Sequence, residues 1–243
     1  MDCFKKLFGG GKVADIIPIK PIENVSPIEL KPVIAKILGI DVSHFEPALD
    51  WNKAKSGGVK FMYTKATEGV AHLDSMLKAH ISSARSAGVL AGAYHFFHAS
   101  MDAKAQASFY LKSIEGMIFD LPHCLDWESG SADGVASAVQ KMKARTWLDI
   151  VEKATGKVPV IYGGESFLRE LVLDSNFARY PLWLAHYGVS EDKIHIPKPW
   201  SKYTIWQWTD AGVVPGLAGG RHVDCNYFQG SLIELQSLGG HSV

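Results

Sequence analysis

The sequence predicts an α/β protein in which eight strands close into an irregular TIM-like (β/α) barrel with fewer outer helices than strands. Short apolar runs alternate with helical patterns, which is typical of a parallel sheet. The length of 243 residues suits a single barrel of this type. The last spacers, such as 209–220, are short or rich in Gly and Pro, which predicts that the second half lacks some helices. An open doubly wound sheet is the alternative, but no GxGxxG turn follows the first strand.

The strands are predicted from β-rich apolar runs that are bounded by turn residues. These runs lie at 37–42, 59–64, 89–97, 121–127, 158–162, 181–185, 203–208 and 221–225.

Three helices are predicted between the strands. The first has apolar residues at i, i+3 and i+4 spacing from Leu73 to Ala84 and ends at Gly88. The second covers 102–115, with Asp102 as its N-cap. The longest covers 131–155, begins at Ser131 or Asp133 and ends before Gly156.

Residues 1–36 differ from the rest, because glycines at 9–11 and four prolines interrupt any period. We expect an N-terminal extension or linker there, or an arm that docks a partner, and a barrel domain over 37–243. The start has no apolar core of the length that a secretory signal requires. The sequence therefore predicts a protein made in the cytoplasm, without a transmembrane segment, that reaches any external substrate after release or delivery.

The composition narrows the partners and cofactors. Twenty-five basic and 25 acidic side chains balance without a basic stripe, so nucleic acid is not an expected partner. The three cysteines form no CxxC pair, and we interpret Cys124 and Cys225 as small buried hydrophobic residues. No cofactor or metal is predicted, and we expect a monomer.

Carboxyl groups recur at the predicted strand ends, where the loops of a barrel form its active site. They follow the first, second, fourth and eighth strands, as Asp41, Glu68, Asp126 with Glu128, and Asp224. One acid at a strand end is usually a cap or a solvated loop residue, but four strand ends that carry acids predict a shared pocket.

Asp126 and Glu128 are the predicted catalytic pair. Residues i and i+2 of a strand face the same side, with Cα atoms about 6.6 Å apart. Repulsion and apolar neighbours raise one pKa, so one group keeps the proton that a general acid needs. We expect Glu128, with the longer reach, to be the acid and Asp126 to remain charged.

Aromatic residues also lie on or near the strand ends. Sugar rings present apolar faces that stack on aromatic side chains, while their hydroxyl groups bond to Asp, Asn and Gln. The candidate contacts are Tyr63, Tyr94, Tyr162, Trp183, Tyr187, Trp206 and Trp208, with Gln207 and Asn226. We expect about half of the aromatics to be core residues instead.

Seven motifs in order resemble the family 25 glycoside hydrolases, the Chalaropsis-type lysozymes or N-acetylmuramidases. They lie between Ile37 and Phe228: Gly39-Ile-Asp41-Val-Ser43, Lys65-Ala-Thr-Glu68-Gly69, Tyr94-His95-Phe96, Asp126-x-Glu128, Trp183-x-Ala185-x-Tyr187, Trp206-Gln207 and Asp224-x-Asn226. The resemblance implies an irregular barrel that cleaves the β-1,4 bond between N-acetylmuramic acid and N-acetylglucosamine in peptidoglycan.

The resemblance also implies residue roles. Glu128 is the expected acid/base, Asp126 its charged partner, Asp41 and Asp224 pocket carboxylates and Tyr94 a substrate contact. One departure is Tyr162-Gly163-Gly164, where the family usually has small hydroxyl or amide residues. A catalytic domain without a signal peptide or wall-binding repeats is similar to a bacteriophage endolysin or tail lysozyme, an association that rests on organisation alone.

Two other functions stay open at this point. A metal-dependent carbohydrate deacetylase could use His95, His98 or His186 with Asp41, although no HxxxH or HExxH spacing occurs. A sugar-binding module without catalysis is the second. For His95 itself, a role as a hydrogen-bonded scaffold residue behind Tyr94 is the better interpretation.

Overall fold

The computed structural model describes residues 36–47 and 49–238. The strands are β1 (Lys36–Val42), β2 (Phe61–Glu68), β3 (His72–Leu73), β4 (Leu90–Phe96), β5 (Cys124–Asp126), β6 (Val160–Gly164), β7 (Leu182–Ala185), β8 (Ile205–Gly212) and β9 (Val223–Gln229). The α-helices are α1 (Trp51–Ser56), α2 (Leu77–Ser86), α3 (Ala103–Ser113), α4 (Ser137–Thr155), α5 (Glu165–Leu171) and α6 (Leu232–Leu238).

Eight of these strands form the predicted barrel. Their order is β1-β9-β8-β7-β6-β5-β4-β2, and pairing of β1 with β2 closes the ring. The ninth, β3, extends β2 as a short hairpin that the sequence did not predict. The prediction of an irregular eight-stranded barrel is therefore confirmed.

The prediction of a parallel sheet is wrong for the last strand. β9 runs antiparallel to both of its neighbours, β1 and β8, whereas the other barrel pairings are parallel. A parallel return requires a crossover of a dozen or more residues. The Gly-rich segment between β8 and β9 is too short for one and turns the chain straight back.

The helices confirm the main pattern with shifted starts. Asp102 caps α3 as predicted, because its side chain accepts a hydrogen bond of 2.8 Å from the Ala105 amide. Gly156 ends α4 in the left-handed region, at φ 70°. That helix begins only at Ser137, since residues 129–131 form a 3₁₀ turn and Asp133 has φ 53°. Three short helices, α1, α5 and α6, were not predicted.

Strand alternation divides the core into two parts. Inward side chains such as Phe61, Tyr63, Val160 and Trp183 fill the barrel interior. Outward side chains pack under the helices in a larger cluster that includes Trp147 of α4. Side chains alternate between the two faces of each strand, except at bulges in β2 and β8, so a residue's place in its strand decides whether it faces the interior.

The predicted segment 1–36 lies outside the described residues, apart from Lys36, which begins β1. Over the part of the chain that the structure describes, no helix is long and apolar enough to cross a membrane. Cys124 and Cys225 are both buried, as predicted.

Candidate active site

A cleft with an empty volume of about 310 Å³ opens where the barrel strands end. Its lining is Asp41, Tyr94, Asp126, Glu128, Tyr162, Trp183 and Asp224, which come from six different strands or the residues that follow them. Every one of these residues was a predicted site residue. The barrel therefore brings together, at one mouth, acids that the chain holds more than 180 positions apart.

Asp126 and Glu128 lie on the same side of an extended segment. Asp126 is the last residue of β5, and Glu128 continues its extended conformation with φ −122° and ψ 160°. Between them, Trp127 is buried on the opposite side, where its Nε1 donates 3.3 Å to Gln140 Oε1. The backbone N–H of Trp127 donates 3.0 Å to Tyr162 O, which holds this segment alongside β6. The predicted i, i+2 geometry is thus present.

The electrostatics of this pair favour a retained proton. Burial raises the pKa of Asp126 well above its ordinary value, and the charge of Glu128 raises it further. Burial also raises the pKa of Glu128, although a hydrogen bond with Asp126 opposes this. Asp126 is the more deeply buried, and its Oδ1 has no hydrogen-bond partner within the described residues. Burial thus favours one retained proton on this pair, as the i, i+2 spacing predicts.

Asp41 and Asp224 form a second acidic pair across β1 and β9. Burial and the Asp224 charge raise the pKa of Asp41 well above its ordinary value, while hydrogen bonds from Asn226 and Gln207 lower it. Burial raises the pKa of Asp224 to about 6. Both pocket carboxylates were predicted, but their direct pairing depends on the antiparallel β9.

Two predicted contacts support the cleft from beneath it. Gln207 and Asn226 are buried, and their amide groups donate 2.9 Å and 2.8 Å to Asp41 Oδ2. Asn226 Oδ1 accepts 2.7 Å from Trp183 Nε1, and Gln207 Oε1 accepts 2.7 Å from Tyr162 Oη. The predicted direct contact with substrate is therefore corrected to a role in orienting cleft side chains.

Aromatic side chains occupy different depths. Tyr94, Tyr162 and Trp183 line the cleft as predicted. Tyr187 is 42% exposed at its edge, and its hydroxyl donates to Gln207 Oε1. Tyr63 is wrong as a contact, because it is fully buried in the interior with its ring 4.8 Å from that of Trp183.

Two more predicted contacts lie outside the cleft lining. Trp206 faces outward because its neighbour Gln207 faces inward, and its Nε1 donates 2.9 Å to His186 O. Glu68 is not part of the cleft lining and forms ion pairs with Lys65 and His98. The correction for Trp206 follows from side-chain direction, which the motif alone does not contain.

Lys65 is a residue whose role was missed. Its Nζ lies 4.8 Å from the centroid of the Phe96 ring and 2.5 Å from Glu68 Oε2. Its positive charge lowers the pKa of both Asp126 and Glu128. The available signal was its parity with Tyr63 on β2, which places both side chains on the inward face.

The histidines proposed for a deacetylase do not assemble around Asp41 in the described part of the chain. His95 is fully buried, bonded to Thr67 Oγ1 at 2.7 Å and Gln106 Oε1 at 3.2 Å. It stacks on Trp147, so it is a scaffold residue, as we expected from the sequence. His98 instead pairs with Glu68.

Comparison with known proteins identifies the family. The model of the glycosyl hydrolases family 25 matches residues 40–217. The chain belongs to this family. It is therefore a glycoside hydrolase, and the resemblance inferred from the seven motifs is confirmed.

Individual relatives cover most of the barrel. The family 25 chain is 32% identical to lysozyme M1 of Streptomyces globisporus over 216 residues, which is 85% of this chain and 72% of that protein. A bacterial lysozyme from Streptomyces coelicolor superposes with a TM-score of 0.76 at 30% identity, covering 84% of this chain and 97% of the other. A muramidase from Trichobolus zukalii gives 0.72 at 33% identity, with coverage of 84% and 98%.

Proposed function

We propose that this family 25 hydrolase is a lysozyme, an N-acetylmuramidase that cleaves the β-1,4 bond between N-acetylmuramic acid and N-acetylglucosamine. Glu128 is the general acid/base and Asp126 its charge partner. The observation that carries the proposal is the buried Asp126–Glu128 pair on one side of a strand end, where burial raises both pKa values and so favours the protonated form that a general acid needs. The names of the lysozyme and muramidase relatives support the substrate class.

The proton of the pair must lie on Glu128 when the bond is cleaved. The two carboxyl groups interact directly, and Glu128 is the more exposed of them. An amide N–H of a 2-acetamido group that donates to Asp126 favours its ionised form. Binding of an amino sugar therefore favours the state with the proton on Glu128, which protonates the glycosidic oxygen as the bond breaks. This coupling supports an acetylated amino sugar as the substrate.

The same contact supports substrate assistance. With Asp126 ionised beside the acetamido N–H, the acetamido oxygen can attack the anomeric carbon and form an oxazolinium ion that the carboxylate stabilises. Glu128, now deprotonated, then activates the water that opens this ring. Two displacements retain the β configuration, whereas an inverting enzyme holds a water between more distant carboxyl groups. The ionised Asp126 also stabilises the positive charge that develops on the sugar.

Two measurements test this function. Mass spectrometry of digested peptidoglycan should find muramic acid at the new reducing ends, and glucosamine there would instead indicate a glucosaminidase. NMR of the first product should detect the β-anomer, and an α-anomer formed first would exclude the retaining route. Gel filtration at working concentration tests the predicted monomer.

A further inference from the structure

Two histidines and a buried aspartate meet on the rim of the barrel mouth, outside the cleft lining. His44, His72 and Asp74 each present a ligand atom, and these atoms lie within 4.8 Å of one another. Within residues 36–47 and 49–238, this is the one group of three or more His, Cys, Asp or Glu side chains close enough to hold a metal ion together. His44 follows the end of β1, and the other two belong to or follow the β3 hairpin. Both segments leave strands at the end that carries the cleft.

Asp74 is held in place by the backbone. Its side chain is fully buried, and its Oδ1 accepts 2.9 Å from the Met76 amide. Its Oδ2 accepts 3.1 Å from the His44 amide and 2.8 Å from His44 Nδ1. These donors fix the carboxylate so that it faces the histidine. A carboxylate oxygen and imidazole nitrogens are both ligands that Zn²⁺ takes in proteins.

His72 completes the group from the same segment as Asp74. Its backbone is the register partner of Glu68 in the β2–β3 hairpin, and its ring centroid lies 6.0 Å from that of His44. Its side chain is exposed, so it can rotate toward the other two residues. Tetrahedral Zn²⁺ with bonds of about 2.0–2.1 Å separates its ligand atoms by about 3.4 Å. Modest rotation of an exposed imidazole therefore closes the observed group to bonding distance.

We propose that His44, His72 and Asp74 bind one divalent transition-metal ion of the Zn²⁺ class. Two imidazoles with one carboxylate form a borderline-soft set that suits Zn²⁺ and not Mg²⁺ or Ca²⁺, and water takes the fourth position. The ion links residues 43–47 to the β2–β3 hairpin, so it stiffens one side of the cleft rim. The proposal does not depend on the muramidase assignment.

Titration calorimetry of the full chain with ZnCl₂, after EDTA treatment and dialysis, tests the site. One ion should bind per chain, and either His72→Ala or His44→Ala should weaken binding at least about tenfold. His195→Ala is the matched control, because His195 Nδ1 lies 2.6 Å from Glu165 without a second histidine in that pair. This variant should bind Zn²⁺ like the parent.

Two further readouts separate the site from other ligands. Zn²⁺ should raise the Tm of the parent and of His195→Ala but not that of His72→Ala, whose exposed position leaves the fold intact. Absorption of the Co²⁺ complex should show nitrogen and oxygen ligation without thiolate bands. Absence of Zn²⁺ binding by the parent, unchanged binding by both histidine variants, or thiolate bands would each overturn the proposal.

Discussion

Asp41 and Asp224 are register partners on the antiparallel strands β1 and β9, so the first and last strands of the barrel place two carboxyl groups side by side. This pair lines the same cleft as Asp126 and Glu128. The cleft thus holds four acids whose pKa values burial raises. The predictions below follow from that arrangement.

The first prediction concerns the acid. Replacing Glu128 with Gln removes the ionisable group while keeping the shape, so the rate of wall lysis should fall by about 10²–10⁴-fold. Binding of glycan fragments should persist. Clearing of a wall suspension and fragment titration measure the two effects, with the exposed Glu170→Gln as control. Lysis by Glu128→Gln at the parental rate would show that the acid is another residue.

The second prediction concerns the pH profile. The positive charge of Lys65 lowers the pKa of both catalytic carboxyls, so Lys65→Met should raise those pKa values. The acid then stays protonated to higher pH, and the alkaline limb of the activity profile should move upward. The exposed Lys78→Met is the matched control and should leave the limb in place. A downward shift for Lys65→Met would contradict the assignment.

A third prediction concerns stability. Since the folded pKa of Asp224 is about 6, above its ordinary value of 3.8, folding takes up a proton between these values and stability falls as pH rises through that window. Asp224→Asn removes this loss. Its Tm should exceed that of the parent by about 3 °C or more at pH 8, with a smaller difference at pH 4. Equal differences at both pH values would argue against the raised pKa.

A fourth prediction separates two neighbours on β8. Gln207→Met leaves Asp41 Oδ2 without one of its amide donors and should lower kcat/KM by at least about tenfold. Trp206→Phe, on the outer face, loses a hydrogen bond to His186 O and should cost about 1 kcal/mol of stability while kcat/KM changes little. Thermal melts and lysis rates measure both. The reverse pattern would place Trp206 in the cleft.

The last prediction tests the packing inside the barrel. A Cβ atom at Gly92 would lie 2.5 Å from the Tyr63 ring, so Gly92→Ala should destabilise the fold by about 1–3 kcal/mol. Tyr63→Leu in the same chain should recover part of this loss. Gly164→Ala, which meets nothing within 4 Å, is the control for the glycine change. Denaturant unfolding measures all three, and equal effects at Gly92 and Gly164 would refute the packing argument.

The sequence by itself determined the strands, the carboxyls at their ends and the Asp126–Glu128 pair. Those features are local: a period of two sets the face of each side chain, and an acid at i+2 stays beside its partner. The same parity could have excluded Trp206, once Gln207 was assigned to the inward face. The depth of Tyr63 could not be obtained this way, because it depends on how far along the barrel axis a residue lies.

Tertiary structure alone decided which distant groups meet. The antiparallel course of β9 brings Asp224 and Asn226 to Asp41, and closure of β1 on β2 gathers all the strand ends at one mouth. It also decided the environment of each catalytic carboxyl, because Asp126 is buried more deeply than Glu128 although their motif treats them alike. Desolvation depends on the atoms packed around a group in three dimensions, and no spacing along the chain specifies these.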